Sequence, residues 1–161
     1  MAKTPSKQLI EKSKQVEKAI QVASFDYLIQ EIPEQIQRRT RLGKGVSVEG
    51  QNKKLDPLSD AYVKKREALK KKGDLFNETT PKRSNLTLTG QMLNAIIGFK
   101  ESATRFVFTF NPQRDDGKSN LDIARWVQEK GRNFFRLSSS EMKQFERKVS
   151  KTINQAIKNL F

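Results

Sequence analysis

Apolar residues near the start of the chain recur at helical spacing. The stripe they form predicts an amphipathic helix over residues 6–31, with lysines and glutamates on the opposite face. Pro33 ends or kinks this helix, because proline disfavours α geometry in the residue before it. Ile36 continues the stripe in a second short helical piece through Arg39. The stripe consists of Leu9, Val16, Ile20, Ala23 and Tyr27.

A strand period appears in the second half of the chain. Phe106, Phe108 and Phe110 occupy every second position, which predicts a strand over Arg105–Asn111 with its phenylalanine face toward the core. A short apolar helix over Gln91–Ile97 precedes it. Gly98 breaks that helix, and a first strand over Phe99–Glu101 completes the pair.

Two capping sequences mark helices after the strands. Ser119-x-x-Asp122 precedes a predicted helix over Leu121–Lys130 that Gly131 follows. In this helix we expect Trp126 to cover the sheet, the alternative being an exposed hot spot. Ser138-Ser-Ser-Glu141 opens an amphipathic helix that runs to about Leu160. Its apolar stripe comprises Met142, Phe145, Val149, Ile153, Ala156, Ile157 and Leu160.

The middle of the chain is polar and basic. Residues 40–55 contain three glycines and predict a loop or loose hairpin. Asp56-Pro57 resembles an N-cap followed by proline at the first helical position, which predicts a helix over Leu58–Lys72 that Gly73 ends. Residues 74–85 form another polar connector.

These elements predict an α+β fold in one domain, with a small antiparallel sheet packed against helices. We expect three parts: a long N-terminal helix over residues 1–37, a basic loop and helix arm over 38–85, and an α+β core over 86–161. The first two parts are expected to project and contact neighbouring molecules.

The net charge of +14 concentrates in the middle part, since residues 38–72 hold twelve Lys or Arg and four Asp or Glu. Such a cluster is either a solvated, solubilising run or a face that attracts DNA or an acidic partner ring. No helix-turn-helix or zinc-finger pattern supports sequence-specific DNA reading. No apolar run approaches the roughly 18–20 residues that span a bilayer, so we expect a soluble protein without membrane contact.

Candidate chemistry is sparse, because the chain contains neither Cys nor His. Thiolate nucleophiles, disulfides and histidine bases are thereby excluded, which argues against an enzyme. Asp115-Asp116 could seed a magnesium-dependent nuclease or toxin, although Arg-Asp-Asp-Gly is more typical of a turn. Gly43-Lys44-Gly45 lacks the full spacing of a phosphate-binding loop.

Several short motifs occur in a characteristic order. They are Arg38–Gly45, Leu58–Tyr62, the Leu86-Thr-Leu-Thr-Gly-Gln-Met-Leu93 run, the phenylalanine strand, Trp126–Gly131 and Phe134–Ser138. In this order the chain resembles the bacteriophage virion morphogenesis, or tail-completion, family, whose members join heads to tails.

The resemblance implies a structural protein of the virion neck or tail, acting in head–tail connection or tail completion like a tail terminator, and present in the host cytoplasm during assembly. Implied partners are copies of itself in a homo-oligomeric ring, a hexamer or dodecamer, other neck, connector and tail proteins, and packaged DNA through nonspecific contact. It implies no catalysis and no cofactor. A nonspecific basic DNA-binding protein is the alternative.

Two groups of residues are candidate contact sites. Arg38, Arg39, Arg41 and Lys44 are expected to face DNA or an acidic ring, so replacing all four with Ser should impair joining and leave the fold intact. Tyr62, Phe134 and Phe135 are expected at the subunit interface. Because the two phenylalanines are adjacent, an extended segment would point one into the core and the other outward.

Overall fold

The protein combines helices with two small antiparallel sheets. The computed structural model describes residues 5–74, 80–86, 90–102, 105–114 and 116–159. The predicted α+β class is confirmed. Residues 87–89 of the leucine-threonine run lie outside the described residues. In chain order the elements are α1 (Pro5–Arg41), β1 (Lys44–Val46), β2 (Asn52–Lys54), α2 (Asp60–Lys72), α3 (Gln91–Asn94), β3 (Ile96–Lys100), β4 (Phe106–Phe110), α4 (Asn120–Glu129) and α5 (Ser139–Lys158).

Helix α1 continues through Pro33, so of the two predicted outcomes, a helix end or a kink, the end was wrong. Ile32 and Ile36 are both buried, and burial on both sides of the proline favours continuing the helix over its local preference. Proline has no N–H to donate to the carbonyl of Ile29 four residues earlier. Gly98 of β3 lies against that carbonyl.

Gly98 allows the sheet to approach α1 closely. It lies inside β3 opposite Phe108, whereas the sequence predicted a helix end there. A Cβ at this position would lie 2.7 Å from the Phe108 ring and 3.0 Å from the Ile29 oxygen. A side chain at position 98 would therefore separate the sheet from α1. Helix α3 ends at Asn94, earlier than the predicted Ile97.

One face of the β3–β4 sheet packs on α1, and the other is half open. In the antiparallel register Ile96 pairs with Phe110 and Lys100 with Phe106. As predicted, the phenylalanine face turns inward: the Phe106 ring lies 4.3 Å from the Phe25 ring of α1, and Phe110 is buried.

Helix α5 packs antiparallel against the second half of α1. Gln35 of α1 donates to Glu141 near the start of α5 (3.2 Å), and Glu31 lies 3.7 Å from Lys148 one to two turns further on. The predicted capping box is confirmed. The Glu141 amide donates to the Ser138 hydroxyl, and the Ser138 amide donates to the Glu141 carboxylate.

Strands β1 and β2 form a hairpin that is fixed to the body. The Val46 amide donates to the Asn133 carbonyl (2.8 Å), and the Ser139 amide donates to the Gly50 carbonyl (2.8 Å). A Cβ on Gly45 would lie 2.6 Å from the Asn133 oxygen, so only glycine fits there. The hairpin predicted within residues 40–55 is confirmed. Because Val46 and Leu55 are buried, the expectation that this segment is loose and projects was wrong.

The two remaining helix starts differ in how well they were predicted. Ser119 caps α4 through the Asp122 amide, and Gly131 follows that helix with φ 78°, as expected. Helix α2 is capped by Ser59 instead of Asp56, because the Ser59 hydroxyl accepts from the Tyr62 amide. Gly73 ends α2 in the left-handed conformation, as predicted.

A buried ion pair joins α1 to α5. Arg39 is 4% exposed; its guanidinium donates to the Glu141 carboxylate and to the carbonyls of Phe134 (2.5 Å) and Arg136 (2.6 Å). Burial lowers the pKa of Arg39, and the charge of Glu141 opposes that shift. Arg39 is thus a structural residue, and its predicted role in facing DNA or an acidic ring was wrong.

We expect Arg39→Ser to lower the free energy of unfolding by about 3–5 kcal/mol, because removing one partner leaves a buried charge uncompensated. Chemical denaturation followed by circular dichroism measures this change. Arg38→Ser is the matched control: Arg38 is exposed one residue earlier, and its replacement should cost about 0.5 kcal/mol or less. Equal midpoints for the two variants would contradict a structural role for Arg39.

Candidate assembly surfaces

The other three predicted basic residues lie at the surface near the end of α1. Arg38 and Lys44 are exposed, and Arg41 is partly buried and donates to Asn94 (2.6 Å). Lys44 on β1 lies directly opposite Lys54 on β2, with Lys53 beside it. Like charges directly opposite one another destabilise a strand pair, so this hairpin concentrates positive charge at some cost in stability.

Two further charged residues lie near these lysines: Glu49 in the hairpin turn, and Arg136. Hydrogen bonds from Ser47 and from its own backbone amide lower the pKa of Glu49, and the charges of Lys53 and Arg136 add to the shift. The charges that surround this carboxylate are therefore basic. Of the four predicted cationic residues only Lys44 lies in the hairpin, where it meets Lys53 and Lys54, two lysines that the predicted site did not include.

The predicted interface aromatics do not form one surface. Phe134 is fully buried, and Phe135 is partly buried with its ring 4.6 Å from Phe110. Both phenylalanines therefore join the same core cluster, because the segment after α4 bends and is not a strand. Phe134 has no exposed surface for a subunit contact, so its predicted interface role was wrong, as was the expectation that the two rings point to opposite sides.

Tyr62 keeps a surface position, beside a cavity of about 750 Å³ between α2 and α4. Trp126 lines the same cavity and is 57% exposed, so the expectation that it covers the sheet was wrong. It lies on the face of α4 away from the buried Ala124 and Val127. The apolar part of the lining comprises Leu58, Leu86, Met92, Ile123, Trp126 and Val127.

The wall of this cavity contains a buried cation that the sequence did not single out. Arg66 is 1% exposed and donates to the Arg83 carbonyl (2.8 Å), the Thr80 carbonyl (3.3 Å) and the Asn85 side-chain oxygen (3.0 Å). Burial lowers its pKa. Within the described ranges its acceptors are neutral oxygens, and its Nε has no hydrogen-bond partner.

The mouth of the cavity includes the turn before α4. Arg114 donates to both carboxylate oxygens of Asp116 (2.8 and 3.0 Å) and to the buried Asn120 side chain (2.9 Å). This geometry favours the turn interpretation of Arg114–Gly117; Asp115 lies outside the described residues. Across the described part of the chain, no group of three or more metal-ligating side chains is present.

Besides Trp126, the described residues expose apolar side chains on the sheet and on α1. On the open face of the sheet Ile97 is 42% and Phe99 44% exposed. On α1 we call residues 5–20 the arm: side chains 7–15, 17 and 18 are exposed, including Leu9 at 68% and Ile10 at 56%. The side chains of Ile20, Ala23 and Tyr27, which the predicted stripe included, lie outside the described part.

Comparisons with protein-family models, curated proteins and solved structures find no match to this chain. Among the described helices none is long and apolar enough to cross a bilayer. The surfaces themselves therefore carry the functional interpretation.

The turn gives a prediction about pH. Hydrogen bonds from Arg114 lower the pKa of Asp116 to about 2, so the ion pair stabilises the turn above about pH 4 and is lost as the pH falls toward 2. Carboxyl-carbon NMR should show Asp116 titrating near pH 2, and Arg114→Gln should raise its midpoint toward the ordinary value of 3.8, with Lys118 still lowering it. An unchanged midpoint in Arg114→Gln would show that another group holds this carboxylate.

Proposed function

We propose that the protein is a structural subunit of a tailed-bacteriophage neck or tail, assembled as a homo-oligomeric ring in head–tail connection or tail completion. The observation that carries the proposal is the arm, a helical segment that extends past the body with apolar side chains in solvent. A helix of this length standing alone in water is marginally stable. Contact with a neighbouring molecule would cover Leu9 and Ile10.

A second exposed surface supports the same proposal. Ile97 and Phe99 present adjacent apolar side chains on the open face of β3, with Val107 and Thr109 opposite them on β4. Exposed apolar patches on small proteins commonly mark contact surfaces. A subunit with one such surface on its arm and another on its body fits a closed arrangement of repeated head-to-tail contacts.

The order of sequence motifs supplies the biological setting. Several motifs follow the order of the tail-completion family. They are Arg38–Gly45, the leucine-threonine run before α3, the phenylalanine strand and Phe134–Ser138 before α5. In the proposal the ring partners are copies of this chain, with neck, connector or tail proteins above and below. The role requires neither catalysis nor a cofactor.

Native mass spectrometry and negative-stain electron microscopy of the purified chain test the ring. We expect closed rings, of six or twelve subunits, that persist on dilution into about 0.15 M salt, where charges beyond about 8 Å are largely screened. A chain that stays monomeric at every concentration, and is not recovered in particles when expressed with virion components, would refute the proposal.

The hairpin favours a second candidate, nonspecific DNA binding. Lys44 and Lys54 face each other across the strand pair, Lys53 adjoins them, and all three are exposed. The binding of such side chains to phosphates releases counterions. This role would operate either in a particle, on packaged DNA, or in a free protein.

Replacing the three hairpin lysines with Gln should weaken duplex DNA binding and reduce the slope of log affinity against log salt by about 0.9 for each phosphate that is no longer neutralised. Fluorescence anisotropy across a salt series measures both quantities. The matched control replaces Lys143, Lys151 and Lys158 on the exposed side of α5, which removes the same charge. Equal slopes for the two triple variants would show that the hairpin has no special role.

A further inference from the structure

The arm and the cavity lie at opposite ends of the β3–β4 sheet. Phe25, at the start of the packed part of α1, contacts Phe106 at the Lys100 end of the sheet. Met92 and Arg114, which line the cavity, flank the Ile96–Phe110 end. The arm extends a further 24 Å or so beyond the body, since a helix rises about 1.5 Å per residue. The arm of one molecule therefore cannot reach its own cavity.

One face of the arm combines apolar side chains with a single acid. At about 100° per residue, Leu9, Ser13, Glu17 and Ile10 fall within roughly 100° of the helix circumference. The arm lysines at positions 7, 12, 14 and 18 fall outside this sector. The Ser13 hydroxyl donates to the Ile10 carbonyl, which satisfies the polar group within the sector.

The cavity has the complementary character. Its lining is mainly apolar, with the Trp126 ring at the open side and the Arg66 guanidinium in the wall. Arg66 has only neutral acceptors among the described residues, and its Nε has no hydrogen-bond partner. Two carboxylates also line the cavity: Asp116, which Arg114 pairs and Lys118 adjoins, and the exposed Asp122. Neither carboxylate bonds to Arg66, so a carboxylate of a docked segment can offset the charge of this buried guanidinium.

We propose that the cavity between α2 and α4 receives the arm of a second copy of this chain. Leu9 and Ile10 enter the apolar lining beside Trp126, and Glu17 pairs with Lys118 at the mouth, in the field of Arg66. Because donor and acceptor surfaces are different and lie at opposite ends, the contact is head-to-tail and repeats from copy to copy. This inference rests on the proposed ring and names the contact that closes it.

Cross-linking between engineered cysteines tests the contact directly, since the chain contains no Cys of its own. One chain carries Ile10→Cys, and a second, size-tagged chain carries Trp126→Cys. After mixing and mild oxidation we expect a disulfide-linked heterodimer on a non-reducing gel. The control chain carries Val48→Cys, at a position that is 75% exposed on the hairpin turn. A yield with Trp126→Cys no higher than with Val48→Cys would overturn the proposal.

A charge exchange tests the orientation of the arm. Glu17→Lys and Lys118→Glu should each weaken self-association by about two- to fivefold, the range of an exposed ion pair, and the two together should restore it. Sedimentation velocity measures the dissociation constants. If self-association of the double variant is weakened by the combined effect of the two single replacements, the pairing of Glu17 with Lys118 is overturned. Circular dichroism on each variant confirms that the fold is retained.

The two proposals fail in different ways. Closed rings in electron micrographs without the 10–126 cross-link would overturn the arm contact and leave the ring intact. A specific cross-link in assemblies that never close would support the arm contact and overturn the ring. Leu9→Asp should abolish the cross-link in either case, because a carboxylate would replace an apolar side chain in the lining.

Discussion

The fold depends on one carboxylate, that of Glu141, which serves two elements at once. It completes the capping box of α5 through the Ser138 amide and neutralises the buried guanidinium of Arg39 in α1. The guanidinium in turn binds the carbonyls of the bent segment that delivers Phe134 to the core. Removing two charges from water is costly, and here hydrogen bonds to both groups offset that cost. The network fixes α1, α5 and the aromatic segment in one register.

The positive charge is divided unequally between interior and surface. Arg39 is paired with an acid, whereas Arg66 is held by neutral oxygens, and most of the other cations lie in solvent. On the hairpin, Lys44 and Lys54 face each other across the strand pair although this arrangement weakens it. A protein of net charge +14 repels its own copies at long range, so association depends on specific apolar contacts or on polyanions.

The sequence predicted those features that local chemistry determines. Both capping sequences, the phenylalanine strand and the glycines that follow α2 and α4 were recognised, because each is fixed by neighbours within about four residues. The fold class followed from their order. In the candidate site, the exposed hairpin lysine at position 44 and the half-buried Tyr62 were also placed at a surface.

The remaining features are set by contacts distant in sequence. Helix α1 continues through Pro33 because the surrounding isoleucines are buried, and Gly98 lies inside a strand because the Phe108 ring and the Ile29 carbonyl leave no room for a side chain. Arg39 resembled its exposed neighbour Arg38 in the sequence. The sequence predicted the capping box that contains Glu141. It did not predict that Glu141 pairs with Arg39, because this contact forms only when α5 packs on α1.

The unbroken course of α1 has a geometric consequence for any assembly built through it. In an assembly joined through the arm, the number of residues between Phe25 and Leu9 would set both the separation of adjacent bodies and the rotation between them. Seven added residues would lengthen the connection by about 10 Å and turn the contact face by only about 20°, whereas two would turn it by about 200°. Curvature of a ring, and hence the count of its members, would then be encoded in the length of one helix.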